Sequence, residues 1–125
     1  MKRVLVCDDD KDILDIIEYI LSDAGWEVIR SEDVTDIIGK IDACTPSVIL
    51  MDNWIPDIGG IAATRLIKEH PHYRDIPVVY ITANSDVKAL AEQAGAELHL
   101  AKPFDLTALE NIVTAAYNLG AAAAL

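Results

Sequence analysis

The chain has 125 residues, near the commonest size for one domain, and its apolar share of 52% against 25% charged excludes a disordered chain. Ten Lys and Arg face 21 Asp and Glu, a net charge of −11 that repels phosphate backbones and argues against direct nucleic-acid binding. No run approaches the roughly 20 apolar residues of a membrane span, and the N-terminus turns acidic too early for a signal peptide, so the cytoplasm is the expected location.

Val4-Leu5-Val6-Cys7 is an apolar run without interruption, the pattern of a strand buried on both faces. Lys11 to Ala24 follows as a helix, with Ile13, Leu14, Ile17, Ile20, Leu21 and Ala24 at helical spacing and Gly25 beyond its end. Trp26 to Ile29 is predicted as a strand, Arg30-Ser31-Glu32 as an ordinary loop, and roughly Asp33 to Ala43 as a helix. Val48 to Met51 is a third strand, ended by Asp52. A loop with Pro56, Gly59 and Gly60 leads to a helix from about Ile61 to Glu69, closed by His70-Pro71. Pro77 to Ile81 is the fourth strand, about Asp86 to Ala94 the fourth helix, and Leu98 to Ala101 a short fifth strand. Asp105 can cap a last helix bearing Leu106, Leu109, Ile112, Val113 and Ala116 on one face. Cys7 and Cys44 fall in a strand and at a helix end, as structural thiols do.

Strands alternating with helices predict an α/β fold, a parallel sheet covered on both faces. Residues 1–119 form the expected domain. The tail, Gly120 with four alanines and Leu125, has the composition of a cloning scar as much as of a natural helix end.

Ligands of such sheets bind beyond the carboxyl ends of the strands. Asp8, Asp9 and Asp10 follow the first strand, Asp52 the third, Thr82 the fourth, and Lys102-Pro103 the fifth. Three successive aspartates alone suit a helix N-cap with an acidic first turn. Beside Asp52 they suit a divalent cation such as Mg²⁺, which takes oxygen ligands and leaves positions for water or phosphate. Asp52, at the mouth of a buried strand, is a competent nucleophile for phosphoryl transfer, and Thr82 and Lys102 can meet the phosphoryl oxygens.

Val6-Cys7-Asp8-Asp9-Asp10, Leu50-Met51-Asp52 with Ile55-Pro56 and Gly59-Gly60, Ile81-Thr82-Ala83 and Ala101-Lys102-Pro103-Phe104 together resemble the receiver domains of two-component response regulators. The resemblance implies a doubly wound, flavodoxin-like sheet in the order 2-1-3-4-5, for which the family is itself a standard example. It implies Asp52 as phosphoacceptor, Mg²⁺ held by Asp8, Asp9, Asp52 and the Trp54 carbonyl, and Thr82 and Lys102 binding the phosphoryl group. The implied phosphate source is a sensor histidine kinase or a histidine phosphotransfer protein. The implied output is a remodelled face of the fourth helix, fifth strand and fifth helix, acting on an output domain, a separate protein or a second copy. Such a domain catalyses only its own phosphorylation and dephosphorylation.

Two positions depart from the family pattern. His99 stands where the switch ring is usually tyrosine or phenylalanine, and Trp54 is bulky for its place beside the acceptor. A pseudo-receiver that binds partners without phosphorylation is the alternative reading. A Mg²⁺-dependent phosphatase is disfavoured, because Trp54 occupies the position of its second aspartate. The last helix, with Tyr117 and Leu119 near its end, serves either a partner or the core.

Overall fold

The computed structural model describes residues 2–83 and 85–123. In chain order the elements are β1 (Arg3–Cys7), α1 (Lys11–Asp23), β2 (Glu27–Ser31), α2 (Ile37–Cys44), β3 (Val48–Asp52), α3 (Gly59–Glu69), β4 (Val78–Thr82), α4 (Val87–Ala94), β5 (Leu98–Ala101) and α5 (Leu106–Ala123). The strands form one parallel sheet in the order β2-β1-β3-β4-β5, as expected.

Alternation along each strand divides the core into two layers. Val4, Val6, Leu50, Val79 and Ile81 pack against α1 and α5 through Leu14, Ile17, Leu21, Leu109 and Val113. Leu5, Cys7, Ile49, Met51 and Tyr80 pack on the other side against Ile37, Ile41, Ala63, Ile67 and Ala91 of α2, α3 and α4. Every residue of β3 and β4 is buried, which is why their sequences read as unbroken apolar runs. The edge strand β5 alternates instead, with His99 and Ala101 exposed.

Local signals fix the helix ends. The Asp10 carboxylate accepts the amides of Asp12 and Ile13 at 2.9 and 3.3 Å and caps α1. The Asp105 carboxylate accepts the Ala108 amide at 2.7 Å at the start of α5. Gly25 and Gly95 take positive φ just past α1 and α4, the conformation that glycine tolerates best.

Gly59 and Gly60, expected in the loop, open α3, and two further segments differ from the sequence expectation. Arg30 and Ser31 belong to β2, and Ser31 is buried because Lys40 Nζ from α2 reaches its hydroxyl at 2.9 Å. The second helix starts at Ile37 rather than near Asp33. The Val34 amide donates to the Pro56 carbonyl, the Thr35 amide to the Asp33 carboxylate, and Lys40 holds the Asp33 carbonyl, so residues 33–36 make a turn.

The last helix runs through Gly120 to Ala123, so residues 120–123 of the predicted tail are helical, while 124 and 125 lie outside the described residues. Tyr117 faces inward, its ring edge-on to Trp26 at 5.5 Å, whereas Leu119 is exposed. Both cysteines are free thiols, and burial pushes the Cys7 thiol up to about 12, where it is unreactive. Among the described residues no helix is long and apolar enough to cross a membrane.

Candidate functional site

Parallel strands end together on one edge of the sheet, so residues far apart in sequence meet there. Asp8 follows β1 directly, Asp52 is the last residue of β3, Thr82 the last of β4, and Lys102 follows β5. The Lys102 ammonium bridges two of them, donating to Asp8 Oδ2 at 2.7 Å and to Asp52 Oδ1 at 3.1 Å. Its backbone is set by its own amide, which donates to the Thr82 carbonyl at 3.0 Å. Asp8 is also fixed through its second oxygen, which accepts the Asp10 amide at 2.9 Å.

Asp8, Asp52 and Thr82 are buried, whereas Asp9 is exposed. Carboxylate oxygens of Asp8, Asp9 and Asp52 all lie within 4.8 Å of one another. Burial raises the Asp52 pKa from 3.8 to about 6, the Asp8 charge pushes it the same way, and Lys102 only partly opposes them. One ammonium is shared by two buried carboxylates, so the salt bridge does not bring Asp52 to an ordinary value. Burial also works against the Lys102 charge, but its hydrogen bond to Asp8 and the charge of Asp52 prevail and raise its pKa.

Three carboxylates offering hard oxygens, with one lysine between them, leave uncompensated negative charge at the site. That donor set fits Mg²⁺ and matches no soft-metal site. Asp8, Asp9 and Asp52 are the residues that could hold it; Asp10 turns away to cap α1.

Of the other predicted residues, Trp54 borders this cluster and His99 stands back from it along β5. The Trp54 side chain is 72% exposed and borders an open groove of about 680 Å³, with Asp9, Asn53, Ile58, Ile61 and Leu90 on its other walls. His99 is exposed on β5, in register with Tyr80 and on the same sheet face.

The join from β3 to α3 is unusually close. A Cβ on Gly60 would overlap the Asp52 carbonyl oxygen and lie 3.0 Å from Asn53 Cα, both backbone atoms that cannot step aside. Gly60→Ala is therefore expected to cost about 1–3 kcal/mol, the range for overpacking, measurable as a lower urea midpoint with unchanged slope. Asn53 and Tyr80 were not singled out from the sequence. The Tyr80 hydroxyl donates to Asn53 Oδ1 beneath the site. The available signal was a phenol inside an otherwise aliphatic strand, since a buried tyrosine hydroxyl usually has a partner.

The response regulator receiver domain family matches residues 4–114. The CAI-1 autoinducer sensor kinase/phosphatase CqsS of Vibrio cholerae serotype O1 is 32% identical over 117 residues, covering 91% of this chain and 17% of that protein. The DNA-binding transcriptional regulator NtrC of Salmonella typhimurium is 37% identical over 106 residues, covering 82% of this chain and 22% of that protein. Among solved structures, the receiver domain of NtrX from Brucella abortus aligns with a TM-score of 0.83 at 28% identity, covering 92% of this chain and 98% of that one. The chain thus spans less than a quarter of the length of either curated relative.

Proposed function

Because the chain belongs to the response regulator receiver domain family, we propose that it is a phosphorylation-dependent signalling switch whose acceptor is Asp52. The observation that carries this reading is the buried Asp52 carboxylate, at the end of β3, sharing the Lys102 ammonium with Asp8.

An Asp52 oxygen attacks the phosphorus of a phosphohistidine on a sensor kinase or phosphotransfer protein. The new O–P bond forms as the P–N bond breaks, and the electron pair leaves on the imidazole nitrogen, which takes up a proton. Mg²⁺, held by Asp8, Asp9, Asp52 and the Trp54 carbonyl, would neutralise phosphoryl oxygens. Lys102 pairs with a phosphoryl oxygen in the product, and the Thr82 hydroxyl donates to another. Drawing Thr82 towards the phosphoryl group frees space on the sheet face that carries His99, whose ring turns inward. The face of α4, β5 and α5 is thereby remodelled for an output domain, a partner protein or a second copy. The domain modifies and slowly restores itself, in the cytoplasm, and turns over no separate substrate.

Incubation with acetyl phosphate and Mg²⁺ is expected to add one phosphoryl group by intact mass, absent in Asp52→Asn and absent with chelator. No adduct in folded protein, together with no binding of beryllofluoride, would replace this reading with the pseudo-receiver.

A further inference from the structure

Tyr80 is fully buried in β4, in register with Met51 of β3 and His99 of β5. Its ring belongs to the core layer shared with α3 and α4, yet its hydroxyl leaves that layer to donate to Asn53 Oδ1. A phenylalanine would fill the same apolar space without the cost of desolvating a hydroxyl. The bond to Asn53 is what compensates that cost.

Asn53 lies between the acceptor and Trp54, and it is held at three points. Its amide donates to the Ile81 carbonyl at 3.1 Å, its carbonyl accepts the Gly60 amide at 3.2 Å, and its side chain accepts from Tyr80. The Tyr80 oxygen also lies near Gly60, 3.0 Å from where a Cβ would stand, so one hydroxyl sits close to both ends of the turn that leads from β3 into α3. The two backbone bonds could serve any residue at position 53. The third needs an acceptor side chain at 53 and a hydroxyl reaching it from 80 together.

We propose that Tyr80 is a positioning residue, whose hydroxyl acts through Asn53 to hold the turn between Asp52 and Trp54 in the geometry that cation binding and phosphoryl acceptance require. The proposal rests on Asp52 being the acceptor. The Tyr80 hydroxyl is bonded to Asn53 and not to a carboxylate of the cluster. It sets where the Asp52 carboxylate and the next peptide groups stand relative to Asp8 and Asp9, and a small displacement there is enough to slow the reaction.

The test is Tyr80→Phe, which removes one oxygen and keeps the packing. Amide exchange of Asn53 and Gly60 in the metal-free protein is expected to accelerate about threefold to tenfold, the range for one buried hydrogen bond, with β1 amides unchanged. Calorimetric titration with Mg²⁺ alone is expected to show affinity weakened by a similar factor. Phosphorylation by acetyl phosphate should then slow mainly at low Mg²⁺ and recover when Mg²⁺ is saturating. Asn53→Ala should reproduce these changes, and the double variant should be no worse than either single one. Unchanged exchange and Mg²⁺ affinity in Tyr80→Phe would overturn the proposal, as would a uniform loss of protection over the whole sheet. Should Tyr80→Phe not fold, Asn53→Ala carries the same comparison. Wild-type protein that binds Mg²⁺ but takes no phosphoryl group would sink the switch reading and the phosphoryl half of the proposal, whereas the exchange and Mg²⁺ titration decide the cation half separately.

Discussion

Asp52→Asn is expected to raise the melting temperature of the metal-free protein at neutral pH by several degrees while removing the proposed phosphoryl acceptor. The folded-state pKa of Asp52 is raised from 3.8 to about 6, chiefly by burial. Between those values the folded chain holds a proton that the unfolded chain has lost, so stability falls as pH rises through about 6. Two pKa units correspond to about 3 kcal/mol, and solvent reaching this open site reduces that to about 1–2 kcal/mol. Asparagine keeps an oxygen for Lys102 and carries no charge, so the variant should lack that loss. Thermal unfolding from pH 4 to 8 with chelator should therefore show wild type declining relative to Asp52→Asn between pH 4 and 6. Added Mg²⁺ should narrow the gap at pH 7, since a ligand that binds only the folded state stabilises it. A variant less stable than wild type at pH 7 would mean that Asp52 is not under strain.

Lys102→Ala is expected to act in the opposite direction and more strongly. The ammonium is the group that both Asp8 and Asp52 contact, and removing it leaves two buried carboxylates facing each other. Breaking one side of a buried ion pair costs several kcal/mol; with the site open to water the expected loss is about 2–4 kcal/mol at pH 7. The loss should be reversed by Mg²⁺, which replaces the missing positive charge. It should also shrink in the double variant with Asp52→Asn, because only one carboxylate then needs compensation. Urea midpoints of the four proteins, with and without Mg²⁺, decide the matter. A loss that Mg²⁺ does not touch would show that Lys102 works through packing of its stem.

Much of this arrangement was readable in the sequence because local rules and tertiary structure agree. The runs Val4 to Cys7 and Val48 to Met51 are apolar throughout since both faces of β1 and β3 are covered, and Asp8 and Asp52 follow those runs directly. Asp10, Asp105, Gly25 and Gly95 mark helix ends by their own short-range chemistry. The strand order is not contained in periodicity; it came with the family motifs. What escaped was set by partners far along the chain. Ser31 looks like a loop serine until Lys40 covers it, and residues 33–36 look helical until Pro56 takes the Val34 amide. Tyr80 suits a strand by propensity alone, so nothing local discloses that its hydroxyl reaches Asn53. For Tyr117 the sequence allowed either a partner face or the core, and the Trp26 ring decides for the core.

Asp8 and Lys102 lie 94 residues apart, yet they share one hydrogen bond. Until β5 docks, Asp8 and Asp52 lack the ammonium that bridges them in the folded chain. Closure of the cluster is accordingly among the least local contacts in the molecule, joining the residue after β1 to the residue after β5. A partly opened chain, with β5 undocked, thus keeps the Asp52 carboxylate but loses the charge beside it.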